Sequence, residues 1–441
     1  MNTTKNNSPI RPLLAAPMLL ALALATLAPM SATLAQAPAP DKAPDAPESK
    51  PETPATGAKV NKMDLPFDNM GTNQSDPNAA VVYLIKVRGE VGTDFSATPL
   101  KRALEDAKKF QPDVIVLQID SAVKPKNGRG GEGKDGENLL IEQSRAFDSV
   151  DSVTEISTVL IDDIRENKGW VKKPRLVAWV NRALGPAAFL PFVCKDIYYT
   201  PNAVHGGIGY LDYYFEGVGD VVVREKQRSL RMGRAEGIAV KGGHDFRILR
   251  AMAREDYVLS YTMVGGKPEF YEDMSGDTIL TDDGNVQAGR GDSYEDYLRN
   301  TGNDTLTLTT PVAKRIGFIQ GEAATMDDLA FELGIQRAYK VYGRRADREL
   351  AGWRNLVDNL TPQFNKLRRD LAEWRLEGEN SSERNISRNK LKRIYLKMID
   401  LVSKNKEVGR ANGFTDEFID TVRVRIAEVD QQIRLDRDDA R

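Results

Sequence analysis

Apolar positions fall in blocks along this chain, and the spacing inside the blocks changes along its length. "AVVYLIKVRGEV" (80–91) is a β-branched apolar run closed by a turn, and "DVIVLQID" (113–120) is continuous in the manner of a strand buried on both faces. Between them "LKRALEDAKKF" (100–110) sets Leu100, Leu104 and Ala107 at helical steps. Strand, helix and strand within about forty residues predict a parallel βαβ unit. "RLVAWVN" (175–181) and "DIYYTP" (196–201) supply two further strands. The intervening insert is Gly-rich at "KPKNGRGGEGKDGEN" and helical through "STVLIDDIRENKGW". Beyond residue 229, "LRMGRAEGIAVKGGHDFRILRAMA" reads as helical in parts, the stretch 262–310 as hairpins and loops, and "LTLTTPVAKRIGFIQGEAATMDDLAFELGI" as a strand-like stretch with two short helices.

From about residue 346 the period becomes three and four. Leu356, Leu360, Phe364, Leu367, Leu371 and Trp374 follow it, as do Phe418, Val422, Ile426, Val429 and Ile433, and "LKRIYLKMIDLV" makes a third helix between them. The pattern predicts a charged helical hairpin or three-helix bundle, either packing on itself or pairing with a partner as a coiled coil.

The N-terminus is built differently. Lys5 and Arg11 precede the apolar run "LLAAPMLLALALATLAPM", and small residues follow in "SATLAQAPAP". Charged start, apolar centre and Ala35-Gln36-Ala37 read as a signal peptide over 1–37, or as a leader that stays in the membrane if it is not cleaved. Residues 38–78, rich in Pro, Ala and charge, read as a linker. The expected organisation is therefore leader (1–37), linker (38–78), α/β domain (79–345, with an insert at 122–170 and loops at 262–305) and charged helical domain (346–441).

Composition narrows the function. With 441 residues, 41% hydrophobic and 29% charged, the chain can build a sizeable core, and its net charge of −2 gives no global field for nucleic acid. Cys194 is the single cysteine, so there is no intrachain disulfide and no cysteine zinc cluster. Its apolar neighbours make it a small buried side chain. His205 and His244 have no partner at ligand spacing, so no metal and no other cofactor is expected. "GRGGEGKD" (128–135) approaches a phosphate-binding loop, but Asp135 stands where Ser or Thr would complete it, which leaves a Gly-rich surface loop. The acidic clusters "TDDGN" and "RGDSYED" lack the register of a calcium loop and read as solvated turns.

"VVYLIKVRGEVG", "ALEDAKKFQPDVIVLQIDS", "RLVAWVNRALGPAAFLPFVCKDIYYTPNAVHGGIG", "VKGGHDFRILRAMA" and the 306–335 stretch, in that order, resemble the ClpP/crotonase superfamily. Within it they resemble the NfeD-type membrane-bound serine proteases and, more distantly, signal-peptide peptidase A. The likeness covers roughly residues 80–336 and implies an α/β fold with a ClpP/crotonase-like repeated ββα core, here followed by the helical region. It also implies where a nucleophile belongs: a serine opening a helix ten residues before the Asp of an Asp-x-Ile-Tyr strand. Counting back from Asp196 gives Pro186, then Ala187 and Ala188. Proline carries no nucleophilic atom, although it suits the first turn of a helix.

Other parts of the implied site depart as well. The Gly-Gly that would help hold an oxyanion after the Ile-Asp strand is replaced by Ser121-Ala122-Val123, and Gly130 and Gly131 come late. Lys226 sits near the register of the family's general base, in a stretch charged enough to keep it solvated. "HGGIG" matches a family turn through Gly206, Gly207 and Gly209, and His205 has no serine to serve in the nucleophile segment.

The expectation is an exported protein of the periplasm or envelope, without catalysis, that oligomerises and binds protein or peptide partners and meets a membrane only through an uncleaved leader. The alternative is a serine endopeptidase with a relocated nucleophile, Ser121 or Ser229. Acyl-CoA chemistry by analogy with crotonases fits an exported location poorly.

Overall fold

A computed structural model describes residues 61–121, 150–165, 169–208, 220–254, 256–282 and 305–438. The leader, the linker as far as residue 60, the Gly-rich loop with Gly130 and Gly131, Gly209 and most of the two acidic clusters lie outside the described residues. The first half of the chain forms β1 (Gly71–Thr72), β2 (Ala80–Arg88), α1 (Ala97–Ala107), β3 (Val114–Ser121), α2 (Val150–Arg165), β4 (Arg175–Leu184) and β5 (Asp196–Gly206). There follow α3 (Val221–Gly242), α4 (Phe246–Ala251), β6 (Leu259–Val264), β7 (Lys267–Tyr271), β8 (Thr278–Thr281), β9 (Leu308–Thr309), α5 (Thr310–Arg315), β10 (Gly321–Glu322), α6 (Met326–Glu332) and β11 (Tyr339–Tyr342). The chain ends in α7 (Arg344–Glu373), α8 (Ser381–Lys404), α9 (Lys406–Ala411) and α10 (Asp416–Asp438).

The fold is α/β with a helical C-terminal region. Its main sheet runs β1-β11-β2-β3-β4-β5-β10, parallel from β11 to β10, with β1 antiparallel at one edge and β9 antiparallel to β5. Parallel strands must be covered on both faces, and that is why β2 and β3 are apolar at successive positions. Tyr83, Ile85, Val87, Ile115, Leu117 and Ile119 enter one core, which α1, α2 and α3 cover. Val82, Leu84, Val114, Val116 and Trp179 enter the other, which α6 covers through Met326, Leu329 and Ala330. A separate antiparallel sheet, β7-β6-β8, occupies part of the stretch read as hairpins.

Three boundaries differ from the sequence reading. The linker stops short of residue 78, because Phe67 and Met70 pack on the second core and the Phe67 N–H donates to the Val341 carbonyl at 2.8 Å. Arg344 closes this contact, donating to the Pro66 carbonyl at 3.0 Å and lying 5.1 Å from the Phe67 ring centre. Strand β5 continues past Pro201 to Gly206, since a bulge lets its second half rejoin β4 and pair with β9.

The third concerns the helices. A division at 345/346 cuts through a packed interface, since Ala346 and Leu350 of α7 belong to the first core and Trp353 Nε1 donates to the Thr93 carbonyl at 2.7 Å. Further along, Val357, Leu360, Phe364 and Leu367 meet Met398, Val402, Val408 and Phe414 in a cluster of their own. Leu356 is 38% exposed and lies beside this stripe, whose register is set by Trp353. Helix α9 also ties back. Glu407 accepts the Thr98 N–H at 3.3 Å, placing a carboxylate at the start of α1 where Ser96 makes no capping bond.

Candidate functional site

Strand β4 delivers the segment that the family likeness marks. Gly185, at φ 63°, turns the chain out of β4, and Pro186 opens a short 3-10 turn, Gly185–Phe189, that is buried throughout. Proline is at home there, because its fixed φ suits the first turn and its missing N–H leaves nothing unpaired. A second 3-10 turn, Pro191–Val193, continues to the buried Cys194, whose thiol burial pushes well up from its ordinary value. No side chain from 185 to 194 except this thiol carries a polar atom. The thiol is buried and held protonated, so it offers no thiolate.

Strand β5 returns beneath this turn. His205 is fully buried, with Nε2 at 2.6 Å from the Ala188 carbonyl and Nδ1 at 2.5 Å from the Tyr199 hydroxyl. A carbonyl only accepts, so Nε2 holds the proton and Nδ1 accepts from Tyr199. Burial lowers the His205 pKa to about 4 and raises that of Tyr199. The ring is therefore neutral, with both nitrogens engaged, and cannot take a proton from a nucleophile. His244 is fixed in the same way, Nε2 donating to the Cys194 carbonyl at 2.7 Å, and burial lowers its pKa too. Phe192 and Phe318 contact both imidazoles, with ring centres 5.1–5.8 Å apart within this group of four.

Both histidines thus hold the turn from below, and acid should weaken that support. Between pH 6.5 and about 4 the unfolded chain binds a proton at His205 that the folded chain rejects. Stability is complete above this window and falls as pH falls through it, by about 2 kcal/mol on going from neutral pH to about pH 5. His244 shifts in the same direction and adds to the slope. Urea unfolding at a series of pH values checks this, and His205→Gln is expected to remove most of the dependence. An unchanged slope in that variant would assign the effect elsewhere.

The structure brings some predicted positions together and separates others. Gly206 and Gly207 lie against the turn. Gly207, at φ 62°, would place a Cβ 3.7 Å from the Gly185 nitrogen, and Gly206 sits so close to the Leu306 carbonyl that a Cβ would come within 2.8 Å. Pro186, Ala187, Ala188, Gly206 and Gly207 thus form one buried locus. Ser121 ends β3 opposite Ala183 of β4, but it is 2% exposed and its hydroxyl donates to the Gly89 carbonyl. Lys226 and Ser229 are exposed on α3, and neither is desolvated as a catalytic base or nucleophile would need to be. Among the described residues no group of three or more His, Cys, Asp or Glu could hold a metal ion.

Sequence reading passed over one feature, a polar row across the open half of the sheet. There Asp120 accepts from Arg182 at 2.7 Å and from Asn181 at 3.1 Å, and Thr200 donates to Asn181 at 3.0 Å. Burial works to raise the Asp120 pKa, but the Arg182 guanidinium outweighs it and holds the carboxyl below its ordinary value. The signal was present as polar residues at every second position, Gln118 and Asp120 on β3 and Asn181 on β4, where a fully covered parallel strand would be apolar. They fell where the strands were expected to end.

No protein-family profile matches this sequence. The chain is 26% identical over 266 residues to membrane protein NfeD1b of Bacillus subtilis (strain 168), an alignment that takes in 60% of this chain and 44% of that protein. It therefore spans less than half the length of that relative. Among solved structures it is similar to the membrane-bound stomatin-specific protease 1510-N. A lysine-to-alanine mutant with a substrate peptide gives a TM-score of 0.32 at 13% identity, covering 58% of this chain and 80% of that one. A serine-to-alanine mutant gives 0.32 at 11% identity, covering 60% and 94%. Through the Bacillus subtilis relative the chain is similar to the NfeD membrane proteins. Among the described residues no helix is long and apolar enough to cross a membrane.

Proposed function

We propose that this chain is an exported, non-catalytic relative of the NfeD-type ClpP-class proteases, an oligomeric scaffold that binds protein or peptide partners at the cell envelope. The observation that carries the reading is Pro186. It occupies the position the likeness assigns to the nucleophile, inside a buried turn with no hydroxyl. The nearest imidazole supports the same reading, because His205 already gives its proton to the Ala188 carbonyl. Export follows from the leader pattern of 1–37, and oligomerisation from the family likeness.

A nucleophile moved to Ser121 is disfavoured by that side chain's burial and its bond to Gly89. Such a hydroxyl is a strand-end hydrogen-bonder. Acyl transfer also needs a base within hydrogen-bonding reach, and the described residues supply Ser121 with none.

Intact-mass spectrometry after exposure to a fluorophosphonate tests the reading. The natural chain is expected to remain unlabelled. Pro186→Ser is expected to react at least about a hundredfold more slowly than an active serine hydrolase, because a serine restored there still lacks a free base. Stoichiometric labelling of one serine in the natural chain would overturn the proposal and make this an enzyme with a relocated nucleophile.

A further inference from the structure

The second face of the main sheet is covered only in part. Residues 82, 84, 114, 116 and 179 lie under α6. The same rows continue beyond that cover as Lys86 and Arg88 on β2, Gln118 and Asp120 on β3, and Asn181 on β4. Here the ladder is irregular, with register shifts between Ile119 and Asp120 and between Val180 and Arg182. Bulges of this kind re-aim side chains and recur beside binding sites. They open a cleft of about 340 Å³ with Gln118, Asp120, Asn181, Asn202 and an edge of Trp179 in its walls. A neighbouring cleft of about 180 Å³ is lined by Lys86, Asp347, Leu350 and Arg354. Arg88 lines both.

Charge decides what this surface can take. Lys86 is paired with Asp347 at 2.6 Å, and Arg182 neutralises Asp120 at 2.7 Å. Arg354 makes no ion pair or hydrogen bond to any described residue, and the exposed Arg88 makes none either, although its charge adds to that of Arg182 in favouring the Asp120 carboxylate. The Gln118 and Asn202 amides make no side-chain hydrogen bond among the described residues either, so their donors face the larger cleft unengaged. Guanidinium groups match carboxylates through paired, parallel hydrogen bonds, and amide side chains suit a peptide backbone. Arg88 borders both clefts, so a ligand reaching from one to the other must be elongated and carry negative groups at intervals.

We propose that this face binds an extended, carboxylate-rich peptide segment across the ends of β2 to β5, with one carboxylate on Arg88 and a second on Arg354. The site is separate from the buried Pro186 turn and does not depend on whether that turn is catalytic.

Fluorescence anisotropy on the full chain tests it, using a labelled decapeptide of alternating Glu and Gly and its Gln–Gly counterpart. The Glu peptide is expected to bind at least about tenfold more tightly, and Arg88→Gln and Arg354→Gln to weaken it by about tenfold each. Arg354→Lys keeps the charge but loses the fork and should fall between. Arg423→Gln, an exposed change on α10, is expected to leave binding unaltered. Equal affinity for the two peptides, absence of binding, or an equal loss in the Arg423 variant would each overturn the proposal. The fluorophosphonate assay does not report on this surface, so the two readings fail separately.

Discussion

Gly242→Ala is expected to destabilise the α/β core by at least about 3 kcal/mol and to disorder the turn around Pro186. A Cβ at Gly242 would stand 1.8 Å from the Phe192 carbonyl oxygen, a contact that neither side can relieve by rotating a side chain. Overpacking against a backbone is the costly form of the small-to-large change. The consequence is local as well as global, because α3 at this point presses on the second 3-10 turn, and the Phe192 ring contacts both the buried His205 and the half-buried His244. Urea unfolding followed by tryptophan fluorescence checks the stability. Hydrogen exchange at residues 187–194 checks the local effect. Gly237→Ala, where an added Cβ meets nothing within 4 Å, is the control expected to be neutral or slightly stabilising.

That prediction shows how much of the site was legible beforehand. That position 186 carries no hydroxyl could be read directly, because proline has none whatever the fold. The support of the turn could not. His205 in "NAVHGGIG" is compatible with a ligand, a base or a core residue, and only the return of β5 beneath residues 185–189 turns its Nε2 onto the Ala188 carbonyl. The fold divides in a similar way. Strands β2 and β3 were readable because burial on both faces makes a continuous apolar run. Strand β11, the four residues Tyr339-Lys340-Val341-Tyr342, is too short to carry a period, yet it holds the sheet edge through β2 and β1. The 61–72 stretch was hidden by composition. Two apolar anchors, Phe67 and Met70, are diluted by their polar neighbours, and their binding depends on Arg344, nearly three hundred residues along the chain.

The start of α3 shows the converse case, a local pattern pointing away from the final state. Three consecutive valines, 221–223, favour a strand by propensity, but Asp220 caps a helix there through its bond to the Val223 N–H at 2.9 Å. The valines remain exposed, so burial does not argue against the helix.

The helical region follows the same logic at longer range. Phe364→Ala is expected to cost about 4 kcal/mol, because the ring is fully buried and removing it leaves a cavity between α7, α8 and the segment after α9. The ring centres of Phe364 and Phe414 are 4.9 Å apart, so the loss includes an aromatic contact as well as area. What distinguishes a coupled architecture from two independent domains is where the loss appears. Ala346 and Leu350 of the same helix lie in the first core, and Arg410 and Glu407 reach α2 and α1. Loosening α7 should therefore lower protection in α1 and β2 along with the C-terminal helices. Hydrogen exchange on Phe364→Ala tests this directly. Loss of protection confined to residues beyond 353 would mean that the helices fold apart from the sheet. Loss extending to 80–107 would mean that the C-terminal helices and the parallel sheet form one cooperative body.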